Sequence, residues 1–174
     1  MKPILFILSG LPASGKSTLA KFISIEYKAV YLRIDTIEQG LRDLCHFEVQ
    51  GEGYRLAYRI ASDNLNLAHN VVADSCNPIM LTRREWEEIA IQNESIFINI
   101  EVVCSDKEEH RKRIETRKAD IKGLKLPTWD EVENREYHSW ETERVIIDTT
   151  NKSIEDCFKE LNNKIKLFLK QITH

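Results

Sequence analysis

Residues Gly10 to Thr18 read GLPASGKST and complete the pattern G-x-x-x-x-G-K-[ST] between a short apolar run, Ile4 to Leu8, and a stretch with helical apolar spacing at Leu19, Phe22 and Ile23. A buried strand, a glycine-bearing turn and a helix are the order in which this pattern makes physical sense. Gly10 and Gly15 let the backbone turn and approach a ligand, and the amides from Ala13 through Ser14, Gly15, Lys16 and Ser17 to Thr18 point toward a polyphosphate at a helix N-terminus. Lys16 is then expected to reach the β- and γ-phosphates of ATP, with the Ser17 hydroxyl as a ligand for Mg²⁺.

The rest of the chain carries short runs rich in Val, Ile and Leu at Ile4–Leu8, Val30–Ile34, Val71–Ala73, Ile96–Cys104 and Arg144–Ile147, separated by helical patterns. That alternation predicts an α/β fold, a three-layer sandwich around a five-stranded parallel sheet. The 174 residues fit a single domain, 1–174. Capping boxes are expected at Thr82 with Glu85, Ser105 with Glu108 and Ser153 with Asp156. A stripe of Ile154, Cys157, Phe158, Leu161, Ile165, Phe168 and Leu169 marks a last helix lying on the sheet.

Bulk properties narrow the class of partner. A net charge of −3 offers no chain-wide basic field for long nucleic acid, although a local basic cleft stays compatible with it. The cysteines at 45, 76, 104 and 157 are widely spaced, as in a reduced cytoplasmic protein, and Cys45-His46 lacks the second pair a zinc site needs. The apolar run at the N-terminus is too short for secretion or spanning, so no membrane partner is expected.

Open parallel sheets bind ligands at the carboxyl ends of their strands, which directs attention to the residues just after each one. Asp35 closes the second run and is a candidate general base for an acceptor hydroxyl; read structurally, it is the N-cap of the next helix. Asp74 follows Val71-Val72-Ala73 as a candidate carboxylate for Mg²⁺, directly or through water, or for substrate; read structurally, Asp74 to Pro78 is turn chemistry. Arg113 and Arg117, four apart on a predicted helix with Arg111, are candidates to clamp phosphate oxygens, against the alternative of a solvated face. Arg42 is a candidate contact for an anionic acceptor. The basic stretch from 111 to 127 reads as a mobile lid. Trp129 and Trp140 are packing anchors or base-stacking platforms, and Asp148 to Asn151 form a loop within reach of an adenine.

On these residues the chain resembles the small P-loop kinases of the adenylate-kinase-like group. The branch in question holds polynucleotide 5′-kinase, chloramphenicol phosphotransferase, zeta-toxin-like proteins and adenylylsulfate kinase. Asp35 to Leu41 is similar to the D-N-V-R-x-G-L segment of adenylylsulfate kinases, with Glu38 in place of their Arg, and Ala119 to Gly123 and Val145 to Thr149 are similar to their I-K-G arm and L-V-I-D-T strand. The resemblance implies an Arg-bearing lid and ATP-dependent transfer to a hydroxyl of a small-molecule acceptor. Adenylylsulfate or a polynucleotide 5′-end is the alternative acceptor. A nucleotide-dependent switch acting on a protein partner is a further alternative, although the D-x-x-G and N-K-x-D of regulatory GTPases are missing.

Overall fold

The computed structural model describes residues 2–172. Its elements run β1 (Ile4–Ser9), α1 (Lys16–Glu26), β2 (Val30–Arg33), α2 (Ile34–Cys45), α3 (Glu52–Asn66), β3 (Val71–Asp74), α4 (Met80–Gln92), β4 (Ile96–Val103), α5 (Lys107–Thr116), α6 (Trp129–Glu133), β5 (Val145–Asp148) and α7 (Ile154–Ile172). The five strands form one sheet in the order β2-β3-β1-β4-β5, every pair parallel.

Because side chains alternate across a strand, the continuous apolar runs feed two cores. Phe6, Leu8, Val72, Ile98 and Ile147 face Leu19 and Ile23 of α1 and Cys157, Leu161 and Ile165 of α7. Leu5, Ile7, Val71 and Ala73 face Ala57, Ala61 and Leu65 of α3 and Trp86 of α4, which lies edge-on to Tyr58 with ring centroids 4.6 Å apart. The stripe on α7 packs as its spacing demands, and Phe158 stacks on Phe22 across the α1–α7 contact at 5.1 Å.

Several boundaries depart from the sequence pattern. β2 stops at Arg33, so Ile34 and Asp35 open α2; Ile34 is drawn into the core beneath α3, which outweighs its β-branched preference for extending the strand. β4 stops at Val103 and β5 starts at Val145; Arg144, just before β5, donates to Glu101 at 2.6 Å. The N-cap of α5 is Asp106, accepting from the Glu109 amide, and Ser105 is engaged by Asp148 instead. Thr82 sits within α4 and donates to the Ile79 carbonyl, while Glu85 accepts from Tyr58. Ser153 does cap α7, accepting from the Asp156 amide at 3.1 Å. A full capping box at Thr128 and Glu131 starts the short α6, a signal legible as T-x-x-E but absent from the expected set. Among the described residues no helix is long and apolar enough to cross a membrane.

Candidate active site

The carboxyl ends of β1, β2 and β3 meet at one edge, with Arg33 and Leu8 both in register with Asp74. Just beyond β1 the chain turns through Gly10 at φ 143°, Ala13 at 61° and Gly15 at 100°, then enters α1 at Lys16. Gly10 is required by space as well as by φ: a Cβ there would lie 2.2 Å from the Val102 carbonyl oxygen. Its amide donates to the Cys76 carbonyl at 3.0 Å, tying the loop to the segment after β3. From the other side Thr149, directly after β5, donates its hydroxyl to the Ser14 carbonyl at 2.8 Å and abuts Gly15.

Lys16 is buried, with its Nζ 3.5 Å from the Leu11 carbonyl, a contact at the edge of hydrogen bonding. The Ser17 hydroxyl donates to Asp74 Oδ1 at 3.1 Å, and Tyr31 donates to Asp74 Oδ2 at 2.6 Å. Asp74 is therefore the last residue of β3, buried at the sheet edge and aimed at Ser17, not a member of the turn that follows. Burial first, then the Asp74 charge and hydrogen bond, push the Tyr31 phenol far above its usual range, so it stays a donor. A hydroxyl beside a carboxylate is a hard-oxygen donor set of the kind Mg²⁺ takes, and a glycine-bearing turn into a helix N-terminus with Lys16 beside it is the setting an anion takes, so the residues fit both groups.

These elements line a cleft of about 960 Å³ reaching from the phosphate loop to α2 and the segment after α5. That is the upper end of the usual range for a small-molecule pocket, about 300–1,000 Å³. Asp35 lines it from the first turn of α2, where Arg33 and not Asp35 is the N-cap; its carboxylate is 47% exposed and 4.0 Å from Arg33 Nη2. Arg42 lines it too, held by Glu38 at 3.2 Å. Burial, opposed by Arg42, raises the Glu38 carboxyl above its ordinary range.

Arg113 and Arg117 do not share a helix face. α5 ends at Thr116, and Arg117 is extended at φ −66°, ψ 147°. Arg113 is committed to the loop after β5, donating to Thr149 Oγ1 at 2.7 Å and to the Thr149 carbonyl at 2.9 Å, besides its pair with Glu109. Arg111 lies apart from the cleft, exposed and paired with Glu115. The segment expected as a lid, 111–127, is thus helical to Thr116 and irregular only beyond it. Trp129 packs on His110 and Trp140 beneath Arg83 and Arg144, and neither lines the cleft. At Asp148, the last residue of β5, burial pushes the carboxyl up, but the bonds from Ser105 and the Thr150 amide outweigh it and hold it low, at about 2.

Two participants escaped the sequence reading. Arg33 extends its guanidinium to Asp120, with Nη1 to Oδ2 at 2.8 Å and Nη2 to Oδ1 at 2.9 Å, and lies 3.9 Å from Asp74. The hydrogen bond from Arg33 holds the Asp120 carboxyl down at about 2. Arg33 was open to discovery as a charged residue at a strand's carboxyl end; its partner, 87 residues away, carried no local signal.

With this geometry in view, the comparisons with known proteins agree on one architecture. Residues 5–135 match the family described as AAA domain. No curated protein matches the sequence. Among solved structures, the chain is similar to a gluconokinase from Sinorhizobium meliloti 1021, at 12% identity over 99% of this chain and 97% of that one, with a TM-score of 0.72. It is similar to the adenylylsulfate (APS) kinase CysC of Mycobacterium tuberculosis in complex with AMPPNP and APS, at 16% identity over 95% and 98%, with a TM-score of 0.71. It is also similar to Chaetomium thermophilum Kti12 in complex with ADP-AlF3, at 19% identity over 92% and 96%, with a TM-score of 0.68. The fold is that of the small P-loop kinases.

Proposed function

The chain belongs to the AAA domain family that matches its residues 5–135, and from that premise we propose that it is an ATP-dependent phosphotransferase acting on a hydroxyl of a small-molecule acceptor. The observation that carries the reading is that one cleft is lined by the phosphate loop, by Ser17, which is backed by the buried Asp74, and by the Asp35 carboxylate. The gluconokinase and adenylylsulfate kinase of similar fold make transfer to a small molecule the favoured reaction.

The roles follow from position. Loop amides between Ala13 and Thr18, apart from that of Ser14, which is given to the Leu11 carbonyl, hold the β- and γ-phosphoryl oxygens, and Lys16 swings from its marginal contact with Leu11 to share their charge. Ser17 and Asp74 would hold Mg²⁺, directly or through water; that ion neutralises phosphate charge when bound. Asp35, on the open side of the cleft, orients the acceptor hydroxyl and takes its proton as the oxygen attacks. Arg113 is assigned a positioning role, bracing the Thr149 loop behind Gly15, and Arg117 is the arginine left to close on the phosphates. The whole chain acts as one domain, with the arm from 117 to 127 as its lid.

The test joins calorimetry with Mg·ATP to transfer of labelled phosphate from ATP into a panel of small alcohols, sugars and sugar acids. Asp35→Asn is expected to keep ATP binding while transfer falls by about a hundredfold or more, the scale of a general base. Lys16→Ala is expected to weaken binding itself. Undiminished transfer by Asp35→Asn removes it from the base role, and ATP turnover that ignores every acceptor favours the switch alternative.

A further inference from the structure

The two ends of the cleft differ in how their charges are matched. At the acceptor end the Arg33 side chain is only 9% exposed and sits on the last residue of β2, a rigid position. Its fork is filled by Asp120, whose side chain is 51% exposed and belongs to an arm without helix or strand. Lys21 of α1 adds a second cation 3.6 Å from the same carboxylate. Arg33 Nε is buried without a hydrogen-bond partner, its nearest charge being Asp74 at 3.9 Å. Further along the lining stand Arg42, Lys118 and Lys125, against the acidic Asp35 and Glu38.

A buried guanidinium fixed to a sheet edge needs an oxyanion, and the fork accepts carboxylate and phosphoryl oxygens alike. The present oxyanion is carried by the more exposed and less regular of the two partners. A neutral ligand that displaced Asp120 would leave the buried Arg33 fork without a hydrogen-bonded oxyanion, with only the longer contacts to Asp74 at 3.9 Å and Asp35 at 4.0 Å, which is unfavourable, whereas an anionic ligand exchanges like for like.

We propose that Arg33 is the site's anchor for an oxyanionic group of the acceptor, carboxylate or phosphoryl, and that Asp120 is an internal stand-in which the acceptor displaces, freeing the arm. The inference rests on the phosphotransferase reading and narrows its acceptor to an anionic hydroxyl compound. It makes Arg33 and Lys21 the specificity-determining residues and anchors the acceptor at the end of the cleft where Asp35 stands, 4.0 Å from Arg33, leaving its hydroxyl for that carboxylate.

The experiment uses the full chain saturated with Mg·AMPPNP, so that the phosphate loop is filled, and titrates it with inorganic phosphate and, separately, with acetate, followed by NMR of the arginine side chains and by calorimetry. Asp120→Asn is expected to tighten one of the two anions by about fivefold, the scale of a half-exposed competing ion pair. The anion that gains more identifies the acceptor's group as phosphoryl or carboxylate. Adding Arg33→Gln to Asp120→Asn is expected to abolish the gain. A purely structural ion pair predicts no gain at all, so equal affinities in the wild type and Asp120→Asn overturn the proposal, as does a gain that survives Arg33→Gln. Failure to take up AMPPNP at the outset overturns the phosphotransferase reading as well, whereas nucleotide uptake without the anion effect overturns this inference alone.

Discussion

Around the phosphate loop the chain is held by bonds that end on backbone: Gly10 donates to the Cys76 carbonyl, the Ser14 carbonyl accepts from the Thr149 hydroxyl, and a Cβ at Gly10 would run into the Val102 carbonyl. Along the arm after α5 the holding is done by side-chain ends. Asp120 reaches Arg33 and Lys21, and a Cβ at Gly123 would meet the amide tip of Gln39 at 3.0 Å. Both regions line the same cleft, yet one resists any change of shape while the other can let go by breaking a few solvent-accessible contacts. The proposed phosphotransferase would use both: a fixed donor cradle and an acceptor side that opens.

The largest effect should come from breaking the fixed side. Gly10→Ala is expected to cost on the order of 3 kcal/mol, because the new methyl group meets backbone and the φ of 143° is strained for any L side chain. Urea unfolding measures it, and a variant as stable as the wild type would show that the loop yields where the geometry says it does not. Thr149→Val comes next, at about 2 kcal/mol. It strips the hydroxyl from Ser14 and Arg113 while keeping the side chain's volume, leaving a buried carbonyl and part of a guanidinium unmatched. Mg·ATP affinity should fall with it, since the Gly15 turn leans on this side chain; stability lost without affinity would separate the brace from the cradle.

The same contrast explains how much of the molecule could be read in advance. The phosphate loop was legible because positive φ and close approach demand glycine, and the residues that use the turn follow it directly in the chain. The parallel sheet was legible from its apolar runs. Details fixed by distant partners were not. Val30 to Ile34 reads as one strand, but burial of Ile34 under α3 ends β2 at Arg33 and moves Asp35 into a helix. Arg111, Arg113 and Arg117 read as members of one helix, but α5 ends at Thr116, whose hydroxyl bonds back to the Lys112 carbonyl, and Arg117 onward follows the arm toward Arg33. No spacing rule joins residue 33 to residue 120.

On the yielding side the effects shrink. Gly123→Ala is expected to cost about 1 kcal/mol, a third of the Gly10 penalty. Its φ of 82° is strained, but its new neighbour is a flexible amide that can move aside. Loss equal to that at Gly10 would erase the contrast between the two regions.

The smallest effect belongs to the Asp120–Arg33 pair itself. Its two bonds are short, but the carboxylate is half exposed, so water and salt screen it and Asp120→Asn should cost less than about 1 kcal/mol at neutral pH. Its pH dependence is more telling than its size. The Arg33 bond holds the folded Asp120 carboxyl at about 2, below the ordinary value near 3.9, so the folded state favours the ionised form. The contribution is therefore complete above the ordinary carboxylate range, flat from about pH 5 upward, and lost as pH falls through about 2. The difference in stability between the wild type and Asp120→Asn, followed by urea unfolding from pH 7 into acid, should close over that interval and nowhere else. A difference that persisted at the acid end would mean that the asparagine disturbs packing instead of charge, and the arm would then be fixed by shape, like the loop it faces.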